Sequence, residues 1–133
     1  MFLRTMNDEQ KRLFLTLAER AADANGIREE SEENLLIAYA DEMGIDVSIE
    51  DIPTEDIYAR LLKISNPVEI NQMTFELVGL LLSDGEYDSD EKQFVDKLSV
   101  GLKVPKERIE KMFDLVGQYS GLIKSINRIM FDV

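Results

Sequence analysis

The segment Leu77-Val-Gly-Leu-Leu-Leu-Ser-Asp-Gly-Glu-Tyr-Asp-Ser-Asp-Glu-Lys-Gln-Phe-Val-Asp-Lys-Leu98 decides the fold of this chain. An apolar stripe at helical spacing runs up to Asp84-Gly85, and a second stripe starts after Glu91. Glycine directly after a periodic stripe typically ends a helix. The segment therefore predicts a helix, an acidic turn and a second helix. The two stripes consist of Leu77, Leu80 and Leu81, and of Phe94, Val95 and Leu98.

A degenerate copy of this segment lies 59 residues upstream (85 minus 26). Gly26 takes the place of Gly85, and Glu32 takes the place of Glu91. Further along, Pro53 corresponds to Pro105 at an offset of 52 residues (105 minus 53). We therefore predict one domain, residues 1–133, built from two pseudo-symmetric helical repeats at about residues 8–64 and 67–131. The apolar phase also matches, pairing Leu35 with Phe94, Leu36 with Val95, Tyr39 with Leu98 and Met43 with Leu102.

Helical periodicity along the whole chain predicts an all-α fold of about seven helices packed as a bundle. Gly117 and Gly121 predict a short break between a sixth helix and a seventh helix that begins near Ser120. The seventh helix carries Leu122, Ile123, Ile126, Ile129 and Met130 on one face. The predicted inward residues of the other helices are Leu13, Phe14, Leu17, Ala18, Ala21, Leu35, Leu36, Tyr39, Met43, Ile57, Leu61, Leu62, Ile70, Met73, Leu77, Leu80, Leu81, Ile109, Met112, Phe113 and Val116.

The composition excludes several classes of function. The chain has no cysteine and no histidine, which removes disulfides, thiolate metal sites, nucleophilic cysteine and the commonest general base. Its net charge of -12 disfavours nucleic acid and anionic membrane surfaces as partners. No apolar run approaches the roughly 20 residues that a membrane span needs, and the first residues do not resemble a signal peptide. We expect a soluble cytoplasmic protein that does not insert into membranes.

The two acidic turns carry the candidate functional residues. Helical spacing places Asp84 and Glu91 on the core side of their helices, and Glu32 occupies the same position in the first copy. One interpretation is a capping box, with Asp88 as cap and Glu91 reaching back to it. The other is a site for Ca²⁺ or Mg²⁺, which prefer oxygen ligands, held by Asp84, Asp88, Glu91 and Glu32. An EF-hand is excluded because its required glycine and glutamate are replaced by serine and valine.

At these residues the sequence resembles the TerB-like family of tellurite-resistance and stress-response proteins, and is similar to the amino-terminal domain of membrane-anchored DnaJ co-chaperones. The resemblance is carried by the stretch 80–85 followed by Glu91, by the stretch 21–26 followed by Glu32, and by the opening at 104–105. It implies an all-helical domain of two similar halves, with Asp84, Glu91 and Glu32 as candidate metal ligands. Asn25 stands where the family has aspartate.

Two functions are expected from these observations. The first is a non-enzymatic cytoplasmic stress-response or scaffold module with a divalent-cation site at its acidic turns. The alternative is a metal-independent adaptor whose acidic second helix, starting at residues 29–33, binds a partner protein with a basic surface. An enzyme is not expected, because the turns offer carboxylates alone and hydrolytic metal sites usually include a nearby base.

Overall fold

The computed structural model describes residues 2–24, 26, 30–45, 51–83 and 88–132. Within these ranges the chain forms six α-helices and no strand, which confirms the predicted all-α class. The helices are α1 (Asp8–Ala22), α2 (Glu30–Met43), α3 (Thr54–Ile64), α4 (Pro67–Leu81), α5 (Ser89–Gly101) and α6 (Lys106–Phe131). None of the helices in these ranges is both long enough and apolar enough to cross a membrane.

Helices α1 and α4 begin at the same kind of cap. The Asn7 side chain accepts a hydrogen bond from the Gln10 N–H at 2.8 Å, and the Gln10 side chain accepts one from the Asn7 N–H at 2.9 Å. Asn66 and Glu69 form the matching pair at 2.8 and 3.0 Å. Each capping box satisfies two amides that the first helical turn leaves without a partner. The boxes lie 59 residues apart (66 minus 7).

Helices α2 and α5 end in matching geometry as well. A residue with a positive φ follows each helix within two positions, Gly44 with 69° directly after α2 and Lys103 with 55° two residues after α5. The next N–H then donates to the carbonyl five residues earlier, at 3.1 Å from Ile45 and 3.0 Å from Val104. This is the pattern of a Schellman ending, in which glycine is the usual positive-φ residue. The recurrence at an offset of 59 residues supports the predicted duplication, which stays a prediction.

Helices α1 and α4 form the centre of the bundle. Helix α1 packs against α2, α3 and α4, whereas α4 packs against α1, α2 and α6. The predicted inward residues of the first six predicted helices are buried, apart from five that are partly buried and pack on the edge of the core. Helical spacing therefore identifies most of the core, whereas the apolar face predicted for the seventh helix is exposed. The five partly buried residues are Leu35, Leu62, Phe94, Phe113 and Val116.

The predicted break near the end of the chain is wrong. Helix α6 runs without interruption through Gly117 and Gly121, so the expected sixth and seventh helices are one. A glycine inside a helix costs only about 1 kcal/mol relative to alanine, and no proline is present to remove a backbone hydrogen bond. From residue 117 to residue 132 every described side chain is exposed. The outer half of α6 thus extends beyond the packed core.

Candidate functional site

Glu32 and Glu91 are buried at the starts of two helices. Each is the third residue of its helix, α2 or α5, and each side chain is only 3% exposed. A carboxylate in the first turn is stabilised by the positive end of the helix dipole, which lowers the cost of burying its charge. The inward direction that helical spacing predicts for both glutamates is confirmed.

The second acidic turn contains a complete capping box. A carboxylate oxygen of Asp88 accepts from the Glu91 N–H at 2.9 Å, and a carboxylate oxygen of Glu91 accepts from the Asp88 N–H at 3.3 Å. Asp88 itself is exposed. The capping interpretation of these two residues is therefore confirmed. One oxygen of each carboxylate bonds to the backbone, so the capping box fixes the positions of both carboxylates.

The predicted cation ligands are only partly brought together. Asp84 lies outside the described residues, as does Asn25 in the first copy. Asp88 and Glu91 lie side by side in the capping box, whereas Glu32 starts a different helix. Within the described ranges no group of three or more acidic side chains is placed to hold a metal ion. The chemistry of the donors, hard carboxylate oxygens, suits Ca²⁺ or Mg²⁺, and the cation site stays a prediction.

Two further acids are buried that the sequence interpretation missed. Glu19 in α1 is 3% exposed and Glu76 in α4 is 8% exposed. Helical spacing could have found Glu76, because it lies three residues after Met73 and four before Leu80, on the buried stripe of α4. Its carboxylate accepts a hydrogen bond from the Phe2 N–H at 3.0 Å. Glu76 therefore holds the segment that precedes α1 against the core.

Tyr39 lies beside this anchoring point. Its hydroxyl donates to the backbone carbonyl of Glu76 at 2.7 Å, and its ring packs edge-to-face on Phe14. Burial raises the pKa of the Tyr39 hydroxyl far above its ordinary value, and the negative charges of Glu76 and Glu42 raise this pKa further. The hydroxyl is therefore a neutral hydrogen-bond donor under ordinary conditions. It has a structural role in joining α2 to α4.

A cleft of about 700 Å³ lies between α3 and α5, next to the end of α1. Arg20 reaches it from α1 and donates to the Thr54 hydroxyl at 3.0 Å. The Tyr58 hydroxyl is buried without a hydrogen-bond partner among the described residues, and burial raises its pKa to about 12. At the rim Arg20 and Lys97 are balanced by two acids, Glu55 and Asp96. This balance of charge favours no single class of ligand.

The outer face of α2 is acidic. Glu30, Glu33 and Asp41 are exposed, and Ile37, 46% exposed, lies between them at helical spacing. The fourteen residues of α2 contain five acids and no base. The predicted docking surface, the acidic run at residues 29–33, contributes Glu30 and Glu33 to this face, whereas Glu32 is buried and Glu29 lies outside the described residues.

Comparison with known proteins gives one relevant likeness. No protein-family model matches the chain, and no curated protein matches it. The fold does match the crystal structure of a tellurite resistance protein from Nostoc punctiforme, with a TM-score of 0.71 and 16% sequence identity over 96% of this chain and 84% of that chain. At this identity the likeness shows the fold. The predicted resemblance to the tellurite-resistance family is confirmed at that level, and the similarity to DnaJ co-chaperones stays a prediction.

Proposed function

We propose that this chain, which shares the fold of a tellurite resistance protein, is a non-enzymatic stress-response module of the cytoplasm. In this proposal it acts as an adaptor, and the acidic face of α2 binds a partner protein with a basic surface. The absence of histidine and cysteine from the sequence supports a binding role rather than catalysis.

The charge pattern of α2 is the observation that carries this proposal. Acids at the start of a helix are favourable, but Asp41 lies in the last turn of α2, where the negative end of the dipole opposes its charge and the helix has no base of its own. A basic partner lying along Glu30, Glu33 and Asp41 would offset this repulsion. Ile37 in the middle of the face adds an apolar contact that a salt-bridging surface alone would lack. Proteins break rules of local stability mainly at functional sites, so an acid at the unfavourable end of α2 supports a binding role for this face.

A basic peptide provides the test. Binding of a fluorescently labelled, lysine-rich peptide of about 20 residues is followed by anisotropy in the presence of EDTA, at low and high salt. The variant Glu30→Gln/Glu33→Gln/Asp41→Asn is expected to bind about tenfold more weakly, as is the wild type at high salt. The control Glu107→Gln/Glu110→Gln/Asp114→Asn removes the same charge from exposed positions of α6 and should bind nearly as the wild type does. Equal weakening by both triple variants, or binding that salt does not change, would reject the adaptor.

A divalent-cation site at the second acidic turn is the second candidate function. Its support is the pairing of Asp88 with the buried Glu91 at the start of α5, four and seven residues after Asp84 in the sequence. Carboxylate oxygens suit Ca²⁺ and Mg²⁺, and the dipole of α5 opposes a cation there, so the acids would have to supply the binding energy.

Calorimetric titration distinguishes the cation site from a cap alone. We expect CaCl₂ or MgCl₂ to give saturable heat with the wild type and none with Asp84→Asn/Glu91→Gln. Glu69→Gln is the matched control, because Glu69 is the capping-box glutamate of α4 and has no acidic turn before it. Absence of heat from the wild type at millimolar metal would exclude the cation site and leave the adaptor proposal untouched.

A further inference from the structure

The outer half of α6 exposes a continuous apolar face. Its large apolar side chains are between 39% and 84% exposed, although the helix is regular throughout. Single exposed apolar residues are ordinary on protein surfaces, but a contiguous set usually marks an interaction site. The set consists of Leu115, Tyr119, Leu122, Ile123, Ile126, Ile129, Met130 and Phe131.

This face continues a stripe that is buried at its beginning. Ile109 and Met112 are buried in the core, where α6 packs against α4 and α5. The same spacing, alternating three and four residues, continues through Val116 and Tyr119 to Met130. Such alternation is the seam of a helix that packs along another helix. The first part of the seam has its partner within the domain, and the second part extends past the end of that partner. The seam comprises Ile109, Met112, Val116, Tyr119, Ile123, Ile126 and Met130.

The charge of the segment favours a second copy of the chain as its partner. The net charge of -12 makes most surfaces of two copies repel each other. Residues 115–131 contain no acid, and their two bases, Lys124 and Arg128, lie off the seam. The positions at Leu115, Leu122 and Ile129, which flank the seam on one side, are apolar as well. Two copies therefore meet with the least repulsion along this face.

We propose that residues 115–131 of α6 pair with the same segment of a second copy, so that the chain is a homodimer through an isologous helix contact. This inference does not rest on the adaptor or the cation site.

Sedimentation velocity of the full chain tests the dimer. At about 50 µM we expect a species of twice the monomer mass for the wild type, and the monomer mass for Leu122→Glu/Ile126→Glu. The control Val68→Glu/Val100→Glu adds the same charge at apolar positions that are 63% and 77% exposed on α4 and α5, and it should stay dimeric. Circular dichroism checks that helix content is kept. The uncharged variant Leu122→Gln/Ile126→Gln replaces the first one if the glutamates unwind the end of α6, and it too should be monomeric.

Other outcomes overturn the proposal. A wild type that is monomeric across the concentration range has no such interface, and an α6 variant that remains dimeric has its interface elsewhere. A lipid surface is the competing occupant, because an amphipathic helix with Lys124 and Arg128 on its polar side is suited to an anionic bilayer. A chain that is monomeric in buffer but floats with phosphatidylglycerol vesicles would assign the face to membrane binding instead.

Discussion

The hydroxyl of Tyr39 on α2 donates a hydrogen bond to the backbone carbonyl of Glu76 on α4, across 2.7 Å in the core. The carboxylate of the same glutamate accepts from the Phe2 N–H, while Glu42 on α2 accepts from the Leu3 N–H at 3.3 Å. One helix from each half of the chain and the segment before α1 therefore meet at a single polar point. These hydrogen bonds hold α2, and with it the acidic face, against the bundle.

Removal of the Tyr39 hydroxyl is expected to weaken this junction. Tyr39→Phe keeps the ring contact with Phe14 but removes the donor, which should lower the free energy of unfolding by about 1 kcal/mol. Urea denaturation followed by circular dichroism measures the change. Tyr119→Phe in the Leu122→Glu/Ile126→Glu background is the control, because Tyr119 is 59% exposed in the single chain and the loss of its hydroxyl should leave the stability of that background unchanged. Equal changes from the two substitutions would mean that the Tyr39 bond contributes nothing net.

The buried tyrosines predict a loss of stability in alkali. Burial raises the pKa of Tyr58 from 10.0 to about 12, and it raises the pKa of Tyr39 in the same direction. The unfolded chain therefore releases these protons first, from about pH 10, so that the folded state becomes less stable as the pH rises toward 12. Each group contributes about 1.4 kcal/mol per pH unit in that window. In urea titrations from pH 8 to 12, Tyr58→Phe should lose less stability than the wild type, and an identical slope would contradict the assignment.

Gly101 allows the ring of Tyr58 to pack directly on the backbone of α5. A Cβ atom at this position would overlap the Tyr58 ring, which is itself buried. Gly101→Ala is therefore expected to destabilise the chain by about 1 to 3 kcal/mol, the usual cost of an overpacked core. Thermal denaturation measures the loss. Gly79→Ala is the matched control, since a Cβ there meets nothing within 4 Å.

Gly117 should respond in the opposite way. It lies inside the continuous α6, its φ is not positive, and an added Cβ meets nothing within 4 Å. Gly117→Ala is therefore expected to stabilise the helix by about 0.5 to 1 kcal/mol. The amide exchange rates of residues 117–125 report the effect locally. A loss of stability in Gly117→Ala would contradict the continuous helix and would support the break that the sequence predicts at this position.

The cap of α5 can be separated from any role in binding a cation. Asp88→Ala removes the side chain that accepts from the Glu91 N–H and should lower the free energy of unfolding by about 1 kcal/mol in the presence of EDTA. Asp90→Ala alters an exposed acid in the same turn and should cost only a few tenths of that value. Urea denaturation without metal is the measurement. A loss that appears only when Ca²⁺ is present would favour the cation over the cap.

The sequence by itself determined the first five helices and most of their inward faces, and it offered the capping box of Asp88 with Glu91 as one of two interpretations of the second acidic turn. These features depend on residues three to seven positions apart, and such spacing is visible in the chain before it folds. The same reasoning was wrong at Gly117 and Gly121. Two glycines predict a break, but a helix tolerates each glycine at small cost, so the glycines alone do not show whether the helix ends there.

Only the tertiary structure decided the contacts between distant segments. Phe2 lies 74 positions from Glu76, and Tyr39 lies 37 positions from it, so no local pattern pairs them. Two further features depend on the relative positions of the helices. Tyr58 of α3 packs on Gly101 of α5, and the outer half of α6 is left exposed. Periodicity shows that a face is apolar, but whether that face is buried depends on the reach of its neighbours, which is a property of the assembled bundle.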